Sequence, residues 1–279
     1  MMPELPEVET VRATLEPRIA GKRIQTVTIR YEKMVEGDAA AFAKQLSGRT
    51  IRSIGRIGKY LFFRLNDGVF VSHLRMEGKY FLKDSKDPYE KHEHLILSFE
   101  DGTDLRYHDT RKFGTVEWIS LDGIPAYRER HKIAFEPLEE GFSGEAFAKR
   151  LKQTARMIKP VLLDQSVVAG LGNIYVDEVL FRARLHPETR ANRLTKKQAL
   201  EVADHARDVL SEATRLGGTT IRSYVSSLGV TGRFQNELSV HGRKGEPCPV
   251  CQSAIAKTTV GGRGTYSCPV CQKKARGSK

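Results

Sequence analysis

Cys248-Pro-Val-Cys251 and Cys268-Pro-Val-Cys271 are separated by sixteen residues and hold all four cysteines of the chain. Each C-x-x-C offers two thiolates from one tight turn. Two such turns on a hairpin can surround one ion with four soft ligands, the tetrahedron that zinc prefers. Disulfides are the other reading. The opening residues, Met1-Met-Pro-Glu-Leu-Pro6, lack a basic region followed by an apolar core, so no secretory signal argues for an oxidising compartment. A redox pair would need only one copy of the motif. One structural Zn2+ is expected, because four thiolates leave no open position for water. A hairpin this short buries little surface, and metal binding worth about 10–16 kcal/mol in finger peptides can hold it.

The finger is also cationic. Residues 244–279 carry seven Lys/Arg and one Glu, so charge is left over after a zinc–tetrathiolate centre of −2. Arg263, in Gly261-Gly-Arg-Gly264 at the expected tip, can face a phosphate or stand solvated in a turn. The whole chain follows the same trend, with net charge +12 and pI near 9.6. Such an excess favours a polyanionic partner through counterion release.

Upstream of the finger the pattern is helical. Thr195-Lys-Lys-Gln198 has capping-box spacing before Val202, Ala206, Val209 and Ala213, and Gly217 closes that helix. The segment Gly218–Arg233 reads as a loop. Val167–Leu185 reads as two helical stretches broken by Gly170 and Gly172, and Ser143 caps a helix containing Phe147 and Leu151.

Before Pro125–Pro137 the character changes to strand. Val27, Ile29 and Tyr31 alternate with polar residues, and Tyr60–Leu65 is a strand core. Asn66-Asp-Gly68 and Asp101-Gly102 are hairpin turns. Asp38 should cap one intervening helix with Phe42 and Leu46 inward. A leading helix places Val8, Val11, Leu15 and Ile19 on one face; Pro17 should kink or break it and Gly21 end it. The expected architecture is α+β: a β-sandwich domain with its leading helix over 1–124, a linker over 125–137, a helical domain over 138–233 and the finger over 234–279. No run of about 18 apolar residues exists to span a membrane.

Five further strings occur in order: Pro3-Glu-Leu-Pro-Glu-Val-Glu9, Gly58-Lys-Tyr60, Arg75-Met-Glu-Gly78, Asp109-Thr-Arg-Lys-Phe-Gly114 and Gly170-Leu-Gly-Asn-Ile-Tyr175. With the finger, they make the chain resemble bacterial formamidopyrimidine-DNA glycosylase from Pro3 to about Lys274. The resemblance implies an N-terminal β-sandwich, a helix–two-turn–helix domain and a zinc finger, with duplex DNA crossing the cleft between the halves. It implies a monomer in the bacterial cytoplasm, associated with the nucleoid. The implied activity is removal of 8-oxoguanine and formamidopyrimidines, followed by β,δ-elimination.

Carried over by position, Pro3 is the nucleophile, Glu4 its acid/base partner and Lys59 an active-site lysine. Met76, Arg111 and Phe113 would fill the hole left by the flipped nucleotide. Lys159, Asn173, Tyr224 and Arg263 would contact DNA. Glu77, Thr220 and Arg222 would contact the everted base, beneath the segment around Thr220–Tyr224.

The chemistry is coherent. An α-amino group titrates at about 7.7–8.0 against about 10.4 for lysine, so it keeps a lone pair near neutral pH. Proline's secondary amine gives a cationic iminium directly, an electron sink for elimination. Glu4 is adjacent and can protonate the opening sugar oxygen; compensation of a helix dipole is its plainer role. Lys59 can also be an ordinary solvated lysine, Met76 and Phe113 core, and Asn173 a helix cap. Met1-Met2 precedes the proline where the family begins with one methionine, so translation is expected to begin at Met2. Three other readings compete: lesion recognition without chemistry, an endonuclease VIII type acting on oxidised pyrimidines, and a zinc-ribbon RNA-binding or transcription protein.

Overall fold

The computed structural model describes residues 2–219 and 232–274, which divide into two units, Met1–His131 with Gly217–Gly232, and Lys132–Leu216 with Arg233–Lys279.

In the first unit, α1 (Leu5–Ile19) leads into β1 (Ile24–Ile29) and α2 (Ala39–Leu46). Seven strands follow: β2 (Ser53–Ile57), β3 (Tyr60–Arg64), β4 (Val69–His73), β5 (Lys79–Asp84), β6 (Glu93–Phe99), β7 (Thr103–His108) and β8 (Thr115–Ile119). They form two four-stranded antiparallel sheets, β1-β6-β7-β5 and β2-β3-β4-β8. One apolar core draws on both, with Phe63 and Phe70 from one sheet and Leu95, Leu97 and Leu105 from the other. This is the expected sandwich. Each Leu or Phe fully buried in it contributes about 1.5–3 kcal/mol.

The leading helix buries Val8, Val11, Leu15 and Ile19 in that core. It runs two residues beyond Pro17 instead of breaking there. A proline in the last turn removes one hydrogen bond, where the helix is about to end. Asp38 caps α2 by accepting the Ala41 N–H at 2.6 Å, and Phe42 and Leu46 point inward. The supposed linker contains a helix, α3 (Ile124–Arg130), whose Tyr127 is buried.

The second unit comprises α4 (Gly144–Lys152), α5 (Ile158–Leu163), α6 (Asn173–Arg182), α7 (Lys196–Arg215) and the hairpin β9 (Ala256–Val260) and β10 (Arg263–Ser267). Ser143 caps α4, and the Thr195–Gln198 capping box opens α7. The first helical stretch expected after Val167 is absent. That helix, α5, has already ended at Leu163, and 164–172 forms turns. The turns are closed by polar side chains. Asp164 accepts the Ser166 N–H at 3.0 Å, and Gln165 bonds the Leu163 and Leu171 carbonyls and the Gly170 N–H. Competition from such side-chain bonds takes the backbone out of helix.

Candidate functional site

The start of the first unit is buried. Pro3 lies inside, Glu4 is the N-cap of α1 at 1% exposure, and Glu7 is buried three residues on. Glu7 Oε2 accepts the Glu4 N–H at 2.9 Å. Its other oxygen accepts the Thr219 N–H at 2.7 Å and the Thr219 hydroxyl at 3.1 Å. A single carboxylate therefore fixes both the helix entrance and the residue before position 220. Thr220, Arg222 and Tyr224 lie outside the described residues.

Lys59 belongs to the two-residue turn between β2 and β3 and is 3% exposed, which sets aside the solvated reading. Arg56 ties this turn to α1, donating to Glu9 at 2.8 Å and to the Gly58 carbonyl at 3.0 Å. His73 is pushed well below the usual imidazole range by burial and by the charges of Arg75, Lys59 and His131. Its Nδ1 accepts the Arg75 N–H at 3.0 Å.

Met76 and Arg111 stand 35 positions apart in sequence, yet Arg111 Nη1 lies 2.9 Å from Met76 Sδ. The Arg111 guanidinium also sits 4.8 Å from the Phe113 ring centroid. Phe113 is 51% exposed, so it is not a core residue. Glu77 shares the Met76 loop and is half-buried. Two residues flanking these side chains, Arg75 (φ 53°) and Lys112 (φ 57°), adopt the left-handed backbone without being glycine. Such strain persists where surrounding structure enforces it.

Around Lys112 the enforcing group is Asp109, buried, which the sequence motif contains but to which sequence reasoning gave no role. Its Oδ1 accepts the Arg111 N–H at 2.9 Å, and its Oδ2 accepts those of Phe113 at 3.0 Å and Gly114 at 2.9 Å. An aspartate opening a polar loop is the Asx-turn signal that could have found it.

In the second unit Asn173 is the first residue of α6, with Gly172 rather than Asn173 in the cap position. Asn173 Nδ2 donates to the Gly264 carbonyl at 2.9 Å. Its Oδ1 is buried with no hydrogen-bond partner among the described residues. Arg263, beside Gly264, is exposed and follows the Gly261-Gly262 turn.

Lys159 departs from its expected place among surface contacts. It is completely buried, with Nζ 2.8 Å from Asp177 Oδ1 and 3.0 Å from the Gly264 carbonyl. Asp177 Oδ2 in turn takes His241 Nδ1 at 2.8 Å and the Tyr266 N–H at 3.2 Å. A lone charge inside would be costly, so the lysine and aspartate are buried as a bonded set. The set joins α5, α6 and β10 directly behind Arg263.

The four cysteine sulfurs lie within 4.8 Å of one another. Cys248 and Cys271 are 3.9 Å apart, and Cys251 and Cys268 3.4 Å. A tetrahedron with zinc–sulfur bonds of about 2.3 Å has edges near 3.8 Å, so the donors fit that ion. The Val250 and Cys271 N–H groups point at Cys248 and Cys268 sulfurs, each at 3.4 Å, which favours thiolate. Among the described residues, no helix is long and apolar enough to cross a membrane.

Three family models match the chain in order: the formamidopyrimidine-DNA glycosylase N-terminal domain over residues 2–116, the H2TH domain of the same enzyme over 133–225, and the zinc finger found in FPG and IleRS over 245–274. The formamidopyrimidine-DNA glycosylase of Bacillus licheniformis is 50% identical over 265 residues, covering 94% of this chain and 96% of that protein. The Bacillus subtilis enzyme of the same name is 48% identical, covering 94% and 96%. Among solved structures, a mutant Lactococcus lactis FPG complexed with Fapy-dG-containing DNA matches with TM-score 0.93 and 48% identity, over 98% of this chain and 100% of that one. A complex of Lactococcus lactis Fpg with abasic-site DNA matches with TM-score 0.92 and 47% identity, with the same coverage.

Proposed function

The chain belongs to the formamidopyrimidine-DNA glycosylase family, and from that premise we propose how its residues perform the family's reaction. The protein is a base-excision enzyme with DNA glycosylase and abasic-site lyase activities. It acts on duplex DNA containing oxidised purines, and carries one structural zinc held by Cys248, Cys251, Cys268 and Cys271. Its substrate and its net charge of +12 associate it with the bacterial nucleoid, where it works as a single chain.

Pro3 is the nucleophile. Its nitrogen attacks the sugar C1′ as the oxidised base departs, and the resulting iminium withdraws electrons while the 3′ and then the 5′ phosphate are eliminated. The nitrogen needs a lone pair, which an amide to Met2 would take away, so the reactive form begins at Pro3. Glu4, the N-cap beside it, exchanges protons with the ring oxygen of the sugar. Lys59, buried on a turn tied to α1 through Arg56 and Glu9, serves as a phosphate contact or proton carrier.

Met76, Arg111 and Phe113 enter the space vacated by the extruded nucleotide. Phe113 offsets lost stacking, which amounts to a few kcal/mol, and Arg111 bonds the orphaned cytosine. Glu77 contacts the everted base, and the same role is assigned to Thr220 and Arg222, with Tyr224 a DNA contact, these three lying outside the described residues. Asn173 and Arg263 hold the flanking phosphates, while Lys159 acts from beneath by fixing the Gly264 carbonyl. The observation that carries this reading is the clustering of Met76, Arg111 and Phe113 from two distant loops around an exposed aromatic ring.

Borohydride trapping on an 8-oxoguanine duplex tests the chemistry, using protein whose N-terminal mass is known. Chains beginning at Pro3 should form a covalent complex, and chains retaining Met2 should not. Full activity and trapping by chains that retain Met2 would overturn the proline mechanism. Competition between oxidised purines and oxidised pyrimidines measures the substrate preference.

A further inference from the structure

Two loops of the first unit meet at one phenol. Tyr107, on β7, is 1% exposed and faces Tyr80 of β5 in register, their ring centroids 5.1 Å apart and edge-on. The far end of its ring fills the space that two side chains would need. A Cβ at Gly78 would lie 2.1 Å from the Tyr107 hydroxyl, and one at Gly114 only 1.6 Å. No carbon tolerates those distances, so the phenol excludes a side chain at both positions; at Gly78 the Leu74 carbonyl, 2.5 Å from the same Cβ, excludes one as well.

Those glycines close the two loops that matter. Gly78 ends the loop carrying Met76, and Gly114 ends the loop carrying Arg111 and Phe113. The same hydroxyl is 3.5 Å from Asp109 Oδ2, the oxygen that takes the Phe113 and Gly114 N–H groups. The loops are thus joined twice, at the base around Tyr107 and at the tip by the contact of Arg111 with Met76.

We propose that Tyr107 is a positioning residue for nucleotide extrusion: its hydroxyl sets the spacing of the two loops so that Met76, Arg111 and Phe113 enter the duplex as one body. The proposal rests on the reading of those three side chains as the inserting group. Tyr107 itself is too deeply buried to touch DNA and acts only through the loops.

Tyr107→Phe in the full-length, zinc-loaded protein is the test, since it keeps the core ring and removes one oxygen. Single-turnover excision of 8-oxoguanine from duplex should fall about tenfold, because a 1 Å misplacement in a reacting assembly can cost roughly a hundredfold. The fluorescence of 2-aminopurine placed beside the lesion, which reports extrusion, should fall in step. Cleavage at a preformed abasic site, where no base must leave the stack, should stay within about twofold. The melting temperature should drop by only a few degrees.

Unchanged excision and extrusion, or equal losses on both substrates, would overturn the proposal. A second variant guards against a trivial folding defect. Gly114→Ala should show the same selective loss, and the double variant with Tyr107→Phe should lose less than the two single losses added together, because the hydroxyl contact is gone although Cζ stays 2.7 Å from the new Cβ; independent, additive losses would count against the proposal. If Met76→Ala and Phe113→Ala leave extrusion untouched, the reading of the inserting group falls and takes the role of Tyr107 with it. If they abolish extrusion while Tyr107→Phe does not, only the role of Tyr107 falls.

Discussion

Lys159 Nζ lies 2.8 Å from Asp177 Oδ1 with both side chains fully buried. This pair, with the Gly264 carbonyl as a further acceptor, fixes the backbone beside Arg263. Removing one member of a buried ion pair strands the other, at a typical cost of about 3–5 kcal/mol. Lys159→Met should therefore destabilise the protein by about that amount, at the lower end because His241 still bonds Asp177. Lys159→Met combined with Asp177→Asn should recover most of the loss. Chemical denaturation of the three proteins checks both statements.

Arg263 is exposed at the start of β10 and should act as a single phosphate contact. Arg263→Ala should weaken binding to damaged and undamaged duplex alike. It should also reduce the slope of log K against log salt by about 0.9. Affinities measured across a salt series give that slope directly, and an unchanged slope would remove Arg263 from the phosphate contacts.

The zinc centre predicts a metal content of one per chain by elemental analysis. Cys268→Ser should lose the ion, because it removes one of the four thiolate donors that lie within 4.8 Å of one another. Loss of metal should reduce DNA affinity far more than it perturbs the first unit. Near-ultraviolet spectra and binding assays, with and without chelator, separate those effects.

His73 makes a pH prediction with a definite sign. Burial and the neighbouring charges of Arg75, Lys59 and His131 hold it well below its ordinary value of 6.5. The folded state therefore binds fewer protons at this site than the unfolded chain does. The corresponding stability is complete above about pH 6.5 and is lost progressively as pH falls toward the folded value. Melting temperatures between pH 7.5 and 5 should decline less in His73→Asn than in the unaltered protein.

Much of this organisation was legible in residue order. The apolar face Val8–Val11–Leu15–Ile19, the caps Asp38, Ser143 and Thr195, and the paired cysteines are local patterns with local causes, and the structure contains each. What escaped depends on distant partners. Lys159 looks like any surface cation until Asp177, eighteen residues later, is brought against it. The strict need for glycine at 114 follows from a tyrosine on another strand, and at 78 from the same tyrosine together with the Leu74 carbonyl. The stretch from Val167 to Gly170 reads as helix in the sequence because Val167–Ala169 is apolar, while the bonds of Asp164 and Gln165 that close its turns carry no periodic signal. Gly217–Thr219 and Gly232 group with the first unit although sequence continuity assigns them to the helical domain.

Asp109 satisfies three backbone N–H groups of the Arg111–Phe113 loop from within the protein, so that loop is a stiff tool rather than a pliable one. When a stiff probe meets a double helix, bending and unstacking fall on the softer body. With that loop as the proposed inserting group, interrogation becomes a mechanical comparison of base steps: flexible pyrimidine–purine junctions and weakened pairs yield readily, while rigid tracts resist. Sequence surroundings should consequently modulate how quickly a lesion is found, even where no side chain reads the neighbouring letters.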